Sequence, residues 1–323
     1  MGVPVVGDVR WMAFSGSGSR LAVRDNNGVT VHDFRQARPI FTFVGYISEC
    51  AFSADGLFLA CGGHSVPEWL RYLHFVQVWD VERNEIVCSL DFPPASKRLT
   101  SFHLEFSPDS SWLAVVREDG LVSVIHIATG KATYLEQRKE RYFESMPSCF
   151  FQETCVLAYT YLDEAIKMVD LNSGQTLFTK RVDDVFELIG CRRTDNNILV
   201  THHGKDDYDN QIAVIDTKRG TIAPLIRGRR GYRWSILNPT LSGTGEYLAA
   251  IVYKETRSLL LIRAVHAVTI WDVQSGALIR EIIVDERTSQ GLTLSVSSIV
   301  FAPAGMLLVG RRGSIEQIQY VNG

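Results

Sequence analysis

A chain of 323 residues with 46% hydrophobic and 21% charged side chains can bury a large core, and it contains no low-complexity stretch, which excludes a disordered polypeptide. Its formal charge of −3 is too small to argue for nucleic acid or membrane from the whole molecule, so any electrostatic case has to be local. No apolar run reaches membrane-spanning length, and the six cysteines (Cys50, Cys61, Cys88, Cys149, Cys155, Cys191) show neither CxxC nor metal-ligand spacing.

Residues 1–6 lack the basic head and long apolar run of a signal peptide, and position 6 is not the Ser or Thr of a myristoylation site. The expectation is a reducing, cytoplasmic setting with buried thiols and no membrane partner.

From there on the chain repeats itself. An alternating strand closes on Asp or a substitute at Asp33, Asp80, His126, Asp170, Asp216, Asp272 and Tyr320, at steps of about 44 to 56 residues, and such a period marks a propeller or solenoid. Upstream of each closing residue an apolar side chain enters a small turn: Phe14-Ser15, Phe52-Ser53, Phe106-Ser107, Phe151-Gln152, Cys191-Arg192, Leu241-Ser242 and Phe301-Ala302. From the second residue of that pair to the closing one the separation is about 18 at its shortest and about 30 at its longest, a fixed unit with insertions.

Each unit holds four short β-branched and aromatic segments, a to d, separated by turn chemistry. In the third unit they fall at residues 102–106, 112–116, 121–125 and 133–135. A glycine four residues past the closing position, at Gly130, Gly174, Gly220 and Gly276, suits a left-handed turn between c and d. A lone four-stranded sheet cannot bury both faces, whereas seven packed radially can. The reading is one all-β domain over residues 1–323, a seven-bladed β-propeller of four-stranded antiparallel blades. The seventh unit stops after strand c, and residues 3–6 are expected to supply its outer strand and close the ring, where Pro4 is tolerated on an edge.

The Trp79-Asp80 and Trp271-Asp272 pairs, with Phe-Ser-Ala-Asp-Gly at 52–56 and Phe-Ser-Pro-Asp at 106–109, resemble WD40 repeats along the whole chain. Two of the seven closing positions carry Trp-Asp. The resemblance implies a surface for partner proteins at the end of the blades formed by the b–c and d–a loops.

The insertions all fall at that end: b–c loops near residues 63–74, 202–210 and 254–266. In the first, Ser65 and Glu68 have capping-box spacing for a short helix projecting Trp69, Leu70 and Leu73, either an anchor for a partner or a seal onto their own blade, and Trp69, Leu70, Arg71 and Tyr72 are the candidate partner contacts. The d–a loops contribute Arg138, Arg141 and Tyr142, then Arg227, Arg229, Arg230, Tyr232 and Arg233, a combination suited to carboxylate or phosphate unless it is simply a solvated loop. Tyr208 follows His202 and His203 in a polar loop, and adjacent histidines point to opposite sides of a strand, which argues against a metal. The apolar run between Arg257 and Arg263 is read as lengthening strand c into a protruding hairpin, or as an exposed lip.

No GxSxG, HExxH, Walker A or GxGxxG motif is present, so no catalytic residue, metal or cofactor is assigned. The expected function is a non-catalytic platform binding one or more proteins, with acidic or phosphorylated segments as candidate ligands of the arginines. The alternatives are an enzyme with a site at the central channel and a nucleic-acid-binding accessory subunit.

Overall fold

A computed structural model describes residues 8–15, 17–36, 38–65, 73–92, 102–117, 119–136, 148–151, 154–161, 165–181, 185–191, 197–203, 210–219, 221–227, 233–242, 244–257, 262–287, 296–302, 305–311 and 314–320. The elements formed by these residues are all β-strands, 27 of them, and no helix among them is long and apolar enough to cross a membrane.

The chain divides into two compact units, Met1–Val6 with Trp11–Arg181, and Gly7–Arg10 with Val182–Gly323. The first carries four sheets, each an antiparallel meander in chain order. They are β1 (Trp11–Phe14), β2 (Arg20–Arg24), β3 (Gly28–Asp33) and β4 (Arg38–Val44); then β5 (Tyr46–Phe52), β6 (Phe58–Ser65), β7 (Leu73–Asp80) and β8 (Glu85–Asp91). The third has β9 (Phe102–Phe106), β10 (Trp112–Arg117), β11 (Val122–His126) and β12 (Lys131–Glu136); the fourth β13 (Ser148–Phe150), β14 (Val156–Tyr161), β15 (Ala165–Asp170) and β16 (Thr176–Arg181).

The second unit continues the pattern with β17 (Val185–Cys191), β18 (Ile198–His203), β19 (Asn210–Ile215) and β20 (Ile222–Ile226), then β21 (Arg233–Leu241), β22 (Tyr247–Arg257), β23 (Ile262–Asp272) and β24 (Leu278–Arg287). Its last sheet has three strands among the described residues, β25 (Val296–Ala302), β26 (Met306–Arg311) and β27 (Ser314–Gln319). Residues 3–6, expected to complete it, lie outside the described residues.

Side chains on a strand alternate between faces, and a sheet with a neighbour on each side, such as the second, third and sixth, is apolar on both. On β10, Leu113 and Val115 join Val76 and Val78 of the preceding sheet, while Ala114 and Val116 join Leu157 and Tyr159 of the following one. On β22, Leu248 and Val252 meet Leu199 and Ile212, and Ala249 and Ile251 meet Leu307 and Val309. The fourth strands are sheet edges, with exposed Ile40, Ile86, Tyr134, Leu177 and Ile283.

The repeat landmarks have a hydrogen-bonding origin. Buried serines at the a–b turns accept the amide N–H five residues on, Arg20 to Ser15 at 3.1 Å, Phe58 to Ser53 at 2.9 Å, Trp112 to Ser107 at 2.9 Å and Tyr247 to Ser242 at 3.1 Å. At the c–d turns the closing aspartate accepts the next free amides: Asp33 Oδ1 from Arg35 and Gln36, Asp80 from Glu82 and Arg83, Asp216 from Lys218 and Arg219, each at 2.9 Å. Gly130, Gly174 and Gly276 have the expected left-handed φ, and Asn84 takes it with φ 57° in the second sheet. Gly220 lies outside the described residues.

Two of the insertions are partly strand among the described residues. Of residues 63–74, Gly63–Ser65 and Leu73–His74 are paired strand, with Gly63 opposite Phe75 and Ser65 opposite Leu73. Ser65 therefore continues β6, and the proposed capping partner Glu68 lies outside the described residues. Likewise 254–266 is strand on both sides, from Lys254 opposite Val265 to Arg257 opposite Ile262, because its β-branched and apolar residues extend the ladder. That is the lengthened hairpin.

Candidate partner-binding end

Each sheet has one end made of a–b and c–d turns and another made of b–c and d–a connections. At the first end the turns consume their own polar groups through the Ser and Asp bonds above. They are also tied to the next sheet: Arg20 donates to the Gly56 carbonyl at 3.0 Å and pairs with Glu82 at 2.7 Å, and the Asp55 N–H donates to Ser110 Oγ at 3.1 Å.

The second end is where length varies. Strands β22 and β23 have 11 residues each, against 5 and 6 for β2 and β3. Its fully described part lies at the first sheet and its junction with the second. Gly45 joins β4 to β5, and its N–H donates to Asn27 O in the b–c turn at 3.1 Å. Asp25 Oδ1 holds that turn by accepting from Asn27 and Gly28, and a Cβ on Gly28 would meet Phe43 O at 1.9 Å, so only glycine permits this approach.

Beside this junction lies a groove of about 840 Å³ between β4 and the β7–β8 face of the second sheet. Its inner wall is aromatic. Trp79 packs against Phe41 and Phe43 at ring separations of 5.2 and 5.4 Å. At the b–c end Tyr46 stacks on His64 at 5.4 Å, His64 lies 6.0 Å from His74, and His74 lies 6.1 Å from Phe102.

His74 is buried, and burial first, then the charges of Arg117 and His64, pushes its pKa down to about 4, so it is neutral at pH 7. Arg117 stacks over the Phe92 ring at 4.5 Å and pairs with Asp119. The rim is apolar and open, with Val44 77% and Tyr46 63% exposed, joined by exposed Leu73 and Ile86.

Of the residues singled out from sequence, Trp69, Leu70, Arg71, Tyr72, Arg138, Arg141, Tyr142, Tyr208, Arg229, Arg230 and Tyr232 lie outside the described residues. Arg227 is exposed just after β20. Arg233 begins β21 opposite Glu255, Arg257 ends β22 opposite Ile262, and Arg263 stands opposite Thr256, so these three backbone positions gather at one end of the sixth sheet.

Val44, Tyr46, Trp79, Ile86 and Asp91 were not singled out as site residues. They come from different strands, and the only sequence signal near them was the insertion bounded by Gly63 and His74. Among the described residues no group of three His, Cys, Asp or Glu side chains could hold a metal, and five cysteines are free thiols.

No protein-family model matches the sequence, and no curated protein does. Among solved structures the chain is similar to the Cps50 (Swd1) β-propeller domain of Myceliophteria thermophila, with a TM-score of 0.69 over 99% of this chain and 100% of that one at 15% identity. At that identity the likeness shows the fold alone, and with the seven sheets it makes this chain a seven-bladed β-propeller.

Proposed function

We propose that the chain is a non-catalytic scaffold or recognition subunit, WD40-like in kind, which holds protein partners at the b–c and d–a end of its blades. The observation that carries this reading is the asymmetry between the two ends. Among the described residues the a–b turns at Ser15, Ser53, Ser107 and Ser242 and the c–d turns at Asp33, Asp80 and Asp216 repeat the same internal hydrogen bonds from sheet to sheet. The b–c and d–a end carries the variation in length and the exposed apolar rim. Partners with acidic or phosphorylated segments would engage the arginines between residues 227 and 233.

Affinity purification from the native source with mass spectrometry tests this, comparing the intact chain with variants in which residues 66–72, 204–209 and 258–261 are each replaced by a short turn. Loss of specific partners from variants with an unchanged circular dichroism spectrum is expected. An unchanged partner set in all three sinks the assignment of the face.

A further inference from the structure

We propose that the groove between β4 and the β7–β8 face is a docking site for an extended segment of a partner protein that carries an apolar side chain and, four residues from it, a lysine or arginine. The inference rests on the platform reading and names the chemistry of a ligand that enters at that end and runs along β7 toward the c–d turn.

The shape comes first. Leu73, Phe75, Gln77 and Trp79 are alternate residues of β7, all lining the groove, and the six steps from Leu73 to Trp79 span about 20 Å at the rise of a strand. A stripe of contacts repeating every second residue matches an extended chain, which presents its own side chains to one side at the same repeat.

Polarity sets the rest. The groove wall is aromatic and aliphatic at the Trp79 end, where Ile86 stands opposite Trp79 across the β7–β8 ladder. At the other end Asp91 stands opposite Phe75 and is exposed. Among the described lining residues Asp91 is the one carboxylate and none is lysine or arginine, and the nearby His74 is neutral at pH 7. The complement of such a groove is an apolar group over Trp79 and Ile86 and a cation over Asp91. Phe75 and Trp79 are four residues apart, about 13 Å along a strand, and this fixes the spacing in the ligand. A cation held there gains modest affinity and a preference against neutral or acidic segments, because the pair is exposed.

The probe is a set of fluorescein-labelled heptapeptides with Leu, Phe or Trp at position two and Lys at position six, the same set in reversed order, and matched sets with Gln in place of Lys. Fluorescence polarisation is measured on the full chain at pH 7 and low salt. At least one Lys set should bind at least threefold more tightly than its Gln partner. Asp91→Asn should bring that ratio to about one, and Asp91→Glu should restore it. Val44→Lys and Ile86→Ser, both on the exposed rim, should weaken binding at least tenfold with the melting temperature unchanged.

Equal binding of Lys and Gln sets to the intact chain, absence of binding, or indifference to Val44→Lys each overturns the proposal. So does binding that appears only after residues 66–72 are replaced, since the chain itself would then be the occupant. Concentration-dependent self-association abolished by Val44→Lys would make a second copy the occupant and overturn it as well. If the loop replacements lose native partners while the groove variants bind the peptides like the intact chain, the platform reading stands and this inference falls. If the groove binds the peptides as described while the loop replacements keep every native partner, the groove site stands and the assignment of the loop-bearing face falls.

Discussion

Cys155 Sγ donates a hydrogen bond to Asp109 Oδ2 at 3.3 Å, joining the turn after β13 to the turn between β9 and β10. Asp109 also accepts from Ser107 Oγ at 2.6 Å and from both the N–H and Oγ of Ser111, at 3.1 and 2.7 Å. A single carboxylate therefore closes one turn and links two sheets.

Acid should weaken this link. Burial raises the pKa of Asp109, but the four donors outweigh it and hold the value at about 2, below the ordinary 3.8. A lowered folded-state pKa stabilises above the unfolded value and is lost as pH falls from 3.8 through 2. Each unit is worth about 1.4 kcal/mol, and because the side chain is exposed, solvent screening reduces the effect to about 1 kcal/mol. Urea melts of Asp109→Asn should show a deficit of that size at pH 6 that closes near pH 2. A deficit independent of pH would exclude an ionic origin.

Close approach between neighbouring turns can be separated from backbone cost by two glycines. Gly56 and Gly174 have nearly the same left-handed φ, 73° and 71°, yet a Cβ on Gly56 would lie 2.6 Å from Ser15 Cβ and one on Gly174 meets nothing within 4 Å. Gly174→Ala should cost about 1 kcal/mol, the penalty of the conformation alone. Gly56→Ala should cost about 2 kcal/mol more, because two backbones must move apart. Equal costs in chemical denaturation would mean that the two turns are not pressed together.

His103 on β9 should act in the opposite direction with pH. Burial opposes its charge, but attraction to Glu105, whose Oε2 is 3.9 Å from Nε2, the field of Glu49 and the hydrogen bond to the Ser148 carbonyl at 3.1 Å outweigh burial and raise its pKa above 6.5. A raised folded-state pKa stabilises fully below the unfolded value and is lost as pH rises through the folded one. With its side chain 36% exposed, the contribution is about 0.5 kcal/mol after screening. His103→Gln should be less stable than the intact chain near pH 5.5, and the gap should narrow toward pH 8.5. A gap that widens with pH would reverse the assignment.

Local chemistry repeated at a fixed spacing was readable from the chain alone. Strand β9 runs from Phe102 to Phe106 as expected, and the Ser and Asp landmarks mark the turns because each side chain bonds to amides within a few residues. The seven-fold repeat followed from those landmarks, since a sheet that is apolar on both faces requires a neighbour on each side. Two things depended on tertiary structure. How far β6, β7, β22 and β23 continue into the insertions was decided by cross-strand pairing, which no local residue pattern specifies. The groove was decided by packing of separate sheets: Val44 and Asp91 are far apart in the chain and line one surface only because β4 and β8 belong to neighbouring blades. Periodicity encodes what a residue does to its own strand and turn, whereas a binding surface assembled across blades is a property of distances that the repeat does not contain.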